Sequence, residues 1–209
     1  SMFARAPDKS LALQHLQAYN DWHSDEWCAA DPARFIPLGI LPVWNMDATV
    51  AEMKRLARKG FKSVTINDNP TKLDLPSIHN DYWRPFFKAA VDNDLVVSIH
   101  IGPGNPAPQA SLETPIDAWI TSMPMSVGVS IADWLNLKVM LELPDLRVNV
   151  AEGGIGWVPA LIERADYVYS HHRKWTHADF GGKLPSEVFR EHFMVCFIVD
   201  PYGMKNVEY

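Results

Sequence analysis

Only two cysteines, Cys28 and Cys196, occur in the chain, too few for a disulfide framework. They read as buried thiols, and no Cys-x-x-Cys or Cys/His spacing points to structural zinc. Long apolar runs are also missing. The longest, Phe35 to Trp44, is about ten residues with two prolines in it, well short of the roughly 18 that cross a bilayer. Basic blocks are absent and the net charge is −6, which argues against nucleic acid or an anionic membrane surface as partner. The N-terminal Ser1-Met2-Phe3-Ala4-Arg5 has no apolar core of a secretory signal, so a cytoplasmic location is the expectation. What is present is an ordinary globular composition. The 209 residues are 47% hydrophobic and 21% charged, enough for one sizeable core, with no repeat or linker to divide residues 1–209 into more than one domain.

Leu95-Val-Val-Ser-Ile-His-Ile-Gly, residues 95–102, is the most informative stretch. Its β-branched run reads as a strand buried on both faces of a parallel sheet, and it delivers His100 to a turn at Gly102-Pro103-Gly104. Around it the same unit recurs. Residues 8–30 form a helix with Asp8 and Ser10 as N-caps and Asp31-Pro32 as its end. Phe35 to Leu41 reads as a strand, and Asp47 as the N-cap of an amphipathic helix that Gly60 stops. Phe61 to Ile66 is the next strand, Asp81 to Asn93 a helix, Ile116 to Leu143 a largely apolar helical region, and Leu146 to Ala151 a strand. A helix carrying Val158, Leu161, Ile162, Ala165, Val168 and Tyr169 on one stripe follows, then a short helix from Pro185 and a strand from Phe193 to Val199.

Alternation of this kind implies an α/β fold, a parallel sheet covered by helices. In such sheets chemistry gathers at the carboxyl ends of the strands, where Trp44, Asn67, His100, Glu152 and Asp200 stand. His100 is either a metal ligand or a hydrogen-bonded structural residue. Glu152 is either a ligand or general base, or a carboxylate that holds backbone amides of the following turn. Asp200 is a proton-transfer group or, before Pro201, a turn or cap residue. His79 follows the Phe61 strand and, with Asn67 and Trp44, is assigned to substrate contact. Gly153-Gly154-Ile155-Gly156 does not make a dinucleotide turn: the full glycine spacing is absent and Glu152 would repel a phosphate. His171, His172 and His177 read as solvated residues at a helix C-terminus.

Ala18-Tyr19-Asn20-Asp21-Trp22, Arg34-Phe35-Ile36-Pro37-Leu38, Leu75-Pro76-Ser77-Ile78-His79, Ser98-Ile99-His100-Ile101-Gly102, Glu152-Gly153-Gly154-Ile155-Gly156-Trp157, Glu163-Arg164-Ala165-Asp166 and Cys196-Phe197-Ile198-Val199-Asp200-Pro201 come in that order. Together they resemble the amidohydrolase-related (amidohydrolase 2) family of metal-dependent decarboxylases and hydrolases, which includes aminocarboxymuconate-semialdehyde decarboxylase. The resemblance implies a (β/α)8 TIM barrel with a divalent metal, zinc or manganese, at its carboxyl face. His100 matches the family's fifth-strand ligand. The His-x-His pair of the family's first strand has no counterpart, nor does the Asp of its last, and Glu152 stands where a catalytic His is usual. With five to six strands placed against eight, a partial barrel, truncated at both ends, is the expectation.

The implied activity is hydrolysis or nonoxidative decarboxylation of a small carboxylate or carbonyl substrate, impaired by the missing ligands. In that scheme His100 holds the metal and Glu152 or Asp200 moves the proton. The alternative is a barrel remnant that carries no metal and serves as an oligomerisation or ligand-binding scaffold. An open parallel barrel exposes strand edges, so self-association is expected.

Overall fold

A computed structural model of the chain describes residues 2–102 and 107–208. Pro103 and Gly104, expected in the turn after His100, lie outside the described residues. A short α1 (Met2–Arg5) precedes α2 (Lys9–Trp22), which Asp8 caps by accepting from the Leu11 amide. The helix expected over 8–30 is not uniform. It loosens into a π turn over His23–Trp27 and tightens into a 3-10 turn over Cys28–Ala30.

Then come β1 (Leu38–Ile40), α3 (Met46–Arg58), β2 (Ser63–Thr65), α4 (Arg84–Asp92), β3 (Val96–His100), α5 (Ile116–Leu135), α6 (Val139–Glu142), β4 (Val148–Ala151), α7 (Val158–Thr176), α8 (Pro185–His192), β5 (Phe193–Val195) and α9 (Pro201–Lys205). The cap of α3 is Asn45, with extended backbone and its side chain on the Ala48 amide; Asp47 sits instead in the first turn, where a carboxylate complements the helix dipole. Gly60 ends α3 at φ 92°, a conformation that favours glycine. The apolar region 116–143 divides into α5 and α6, separated by residues 136–138.

The five strands are all parallel and adjacent in chain order, β1-β2-β3-β4-β5. Register places Val64, Val97, Val148 and Phe193 in one row across four strands, all buried beneath the helices. Trp83, Phe86, Phe87 and Trp134 form an edge-to-face chain in this layer, with ring centres 5.2–6.1 Å apart. Each such ring removes enough apolar surface to contribute roughly 1.5–3 kcal/mol. The opposite face is polar at mid-height. Ser63 and Ser98 share a 2.9 Å hydrogen bond, and Asn149 donates to the Ser98 hydroxyl.

Strands are shorter than the apolar runs suggest. Pro37 precedes β1, and Pro42 follows it by one residue. After Val195, Cys196 still pairs across, donating to Val150 O and accepting from the Gly154 amide, and Ile198 and Val199 turn outward at 74% and 80% exposure. Cys28 is buried as expected, but Cys196, beyond the strand's end, is exposed. Of the histidines near the end of α7, His171 and His177 are exposed and His172 is half-buried.

Candidate active site

His100 is the last residue of β3, and Glu152 follows the last residue of β4. Because His100 is in register with Ala151, the next residue along β4 brings a carboxylate beside the ring. The backbone of Glu152 is left-handed, at φ 60°, a conformation that non-glycine residues seldom adopt. This places Oε2 3.1 Å from His100 Nε2. The Glu152 amide donates to Cys196 Sγ at 3.1 Å, so β5 helps hold the turn. Nδ1 of His100 is 2.7 Å from Ile101 O, which fixes it as the donor nitrogen and turns Nε2 toward Glu152.

A cavity of about 400 Å³ adjoins His100. Thr65, Asn67 and His100 give it a polar wall, and Phe3, Leu16 and Ile40 contribute apolar surface. Among the described residues no Lys, Arg, Asp or Glu lines it. Asn67 is buried, with Oδ1 accepting from the Asn69 amide. The volume and the mixed lining suit a small molecule with an apolar body and a few polar groups.

Three other residues picked from the sequence are not in contact with this pair. Trp44 is half-buried beneath Lys9, whose Nζ lies 5.4 Å from the ring centre, so it packs against the start of α2 rather than lining the cavity. His79 bonds Asp133 Oδ1 at 2.8 Å in a separate groove with Arg84 and Lys138. The run from Thr65 to Arg84 is long enough to carry it away from the strand end. Asp200 accepts from the amides of Ile155 and Gly156, both at 2.7 Å, and of Gly203 at 2.8 Å. These bonds, the one from Ile155 first, hold its carboxyl below the usual range. Asp200 thus makes the capping contacts that an Asp before a Pro commonly makes, and clamps the loop just after Glu152.

Two residues not singled out from the sequence matter here. Cys196 touches Glu152, and its position inside an apolar run gave no sign of that contact. Asp68, beside Asn67, is 5% exposed and bonds the Ser130 hydroxyl through Oδ2, while Oδ1 has no partner among the described residues. Its main-chain oxygen accepts from Trp134 Nε1 at 2.8 Å, so the end of β2 is tied to α5. The polar turn Asn67-Asp68-Asn69 was the available signal.

A mononuclear metal site takes about three or four protein donors. His100 and Glu152 are suitable in kind, an imidazole and a carboxylate converging from adjacent strands. They fall short in number, since among the described residues no group of three His, Cys, Asp or Glu is placed to hold an ion.

Residues 6–199 match the amidohydrolase family profile Amidohydro_2, and the chain belongs to that family. It is 30% identical over 166 residues to 2-amino-3-carboxymuconate-6-semialdehyde decarboxylase of Dictyostelium discoideum, covering 76% of this chain and 43% of that protein. It is 31% identical over 174 residues to gamma-resorcylate decarboxylase of Rhizobium sp. (strain MTP-10005), covering 77% and 50%. The chain therefore spans about half the length of these curated relatives. Among solved structures, 5-carboxyvanillate decarboxylase of Novosphingobium aromaticivorans with bound manganese superposes with a TM-score of 0.71 at 20% identity, over 92% of this chain and 56% of that one. The 2,6-dihydroxybenzoate decarboxylase of Rhizobium does so at 0.67 and 22%, over 92% and 61%. The fold is a partial (β/α)8 barrel.

Proposed function

We propose that the chain carries one part of the active site of a metal-dependent nonoxidative decarboxylase acting on a small aromatic or unsaturated carboxylate. The His100–Glu152 pair carries this reading: two exchangeable groups 3.1 Å apart, at the carboxyl ends of neighbouring strands, beside a cavity of about 400 Å³. His100 is the chain's contribution to a manganese or zinc centre, and Glu152 is its partner or a further ligand. When bound, the ion neutralises the substrate carboxylate. The remaining chemistry is proton delivery. The bond between carbon and carboxylate breaks, CO2 leaves, and the carbon takes a proton, whose delivery we assign to Glu152. Asn67 and Thr65 orient the substrate's polar groups, while the apolar wall keeps water from the reacting carbon. Asp200 acts on this centre indirectly, by fixing the loop behind Glu152.

The presence of two donors rather than three favours a second reading, a scaffold that binds carboxylates without turning them over. Self-association belongs to either reading, supported by the exposed apolar residues past β5. The deciding experiment is CO2 release from 2,6-dihydroxybenzoate and 5-carboxyvanillate in the presence of manganese. Release that His100→Ala and Glu152→Gln abolish supports the first reading. Saturable binding without release supports the second.

A further inference from the structure

A second cavity, of about 230 Å³, opens on the helical layer, between the C-terminal part of α5, the middle of α7 and the segment leading to α8. Leu135, Leu161, Val168, Tyr169 and Phe180 wall it, and the Tyr169 and Phe180 rings meet edge to face at 5.2 Å. It shares no residue with the cavity beside His100. Among the described residues Arg164 is its one charged lining residue, and no Asp or Glu lines it.

That arginine is exposed and has no carboxylate within ion-pair distance among the described residues, its guanidinium lying 4.9 Å from the Tyr167 ring centre. Arg173 is in the same condition one turn beyond Tyr169, whose hydroxyl it reaches at 3.5 Å. Carboxylates near the cavity are taken. Asp133 bonds His79, Asp166 accepts from the Ser186 amide, and Asp179 accepts from the Gly181 amide. Glu163 neighbours Arg164 in sequence, and adjacent residues on a helix do not face one another. The result is an apolar slot with uncompensated positive charge at its edge. We propose that this slot binds a small apolar monocarboxylate, with the body against Tyr169 and Phe180 and the carboxylate on Arg164. The planar guanidinium offers two parallel N–H donors to a carboxylate, and an apolar slot with one such group gives orientation as well as affinity. This site requires neither metal nor turnover, so it stands apart from the catalytic reading of His100.

Isothermal titration with sodium benzoate and, separately, with benzamide tests it. Benzoate should bind saturably and benzamide should not. Arg164→Gln, an exposed change that leaves the core intact, should weaken benzoate by at least about tenfold. Ala165→Phe, which fills the slot without altering charge, should abolish binding, and His100→Ala should leave it unchanged. Loss of binding in His100→Ala with retention in Arg164→Gln would place the ligand at the barrel mouth and overturn the proposal. Equal binding of benzamide, or no saturable binding at millimolar benzoate, would overturn it as well.

Discussion

Asn20 and Glu52, at 0% and 1% exposure, are joined by a 2.8 Å hydrogen bond from Nδ2 to Oε1 that fastens α2 to α3. The Asn20 amide also stands in for a neighbouring strand. Its Nδ2 reaches Ile40 O at 2.9 Å and its Oδ1 accepts from Ile40 N at 3.0 Å, while His23 Nε2 accepts from Leu38 N. The edge of β1 is thus closed by side chains of its preceding helix. Asn20→Ala should leave Glu52 and both Ile40 groups short of partners and destabilise the fold by roughly 2–4 kcal/mol, read from urea melts at pH 7.

The same pair sets an acid sensitivity. Burial tends to raise the Glu52 carboxyl, but bonds from Arg55, Asn20 and Gln17 outweigh it and hold it below its ordinary 4.5. Asp21 is held low in the same cluster by Lys59 first and then Arg55. A depressed carboxyl contributes stability that is fully present above its unfolded value and is lost as pH falls through the folded one. Wild type should therefore exceed Glu52→Gln in stability at pH 7, and the gap should narrow as pH falls below about 4.5. Paired denaturation curves from pH 7 to pH 3 would show it; a constant gap would refute the assignment.

Gly156 is packed so closely that an added Cβ would lie 2.9 Å from Asp200 Oδ1 and 3.3 Å from the Gly203 amide nitrogen. Gly156→Ala should push the Asp200 carboxylate off the amides that hold it, costing on the order of 1–3 kcal/mol. Since that clamp fixes the loop following Glu152, the same variant should lower any carboxylate turnover through kcat. A loss of stability with kcat untouched would confine Asp200 to a purely structural role.

The strand ends explain how far the sequence could be read. The β-branched runs ending at His100 and Ala151 report directly on burial, and parallel register then dictates that His100 and Glu152 become neighbours. Where a long connection intervenes, local pattern says little about destination. His79 is separated from β2 by a turn-rich stretch and lands against Asp133, on a helix 54 residues away in sequence. Trp44 lies close to β1, yet α2 supplies Lys9 to cover it. Apolar content also overstates strand length: Phe193 to Val199 is uniformly apolar, but only its first three residues are strand, because the left-handed turn at Glu152 breaks the regular ladder and leaves Cys196 bonded to Val150 O and the Gly154 amide alone.

A metal at His100 should be visible without turnover. Manganese binding to the native state alone raises the melting temperature, by an amount that grows with the ratio of free ion to Kd. His100→Ala should remove that rise, and Glu152→Gln should reduce it, because the amide is a weaker donor than the carboxylate it replaces. An increment identical in wild type and His100→Ala would move the ion elsewhere on the chain and leave His100 as a hydrogen-bonding residue.

The two edges of the sheet differ in how far their main-chain groups are already bound. At β1 the outward N–H of Leu38 and both polar groups of Ile40 are bound by His23 and Asn20, so no strand can add there without displacing α2. At β5, Cys196 spends its N–H on Val150, which by parallel geometry turns the main-chain groups of Val195 outward. Exposed Met194, Ile198, Val199 and Tyr202 surround that edge. Joining β5 to β1 head to tail would displace α2, so the expected pairing is β5 against β5 about a two-fold axis, a closed arrangement that stops at two copies. Light scattering after size exclusion should give a dimer, and Val199→Asp, which adds charge to an exposed site without touching the core, should shift it toward monomer. A monodisperse wild-type monomer would remove the argument, and assemblies larger than two would show that the β1 edge opens.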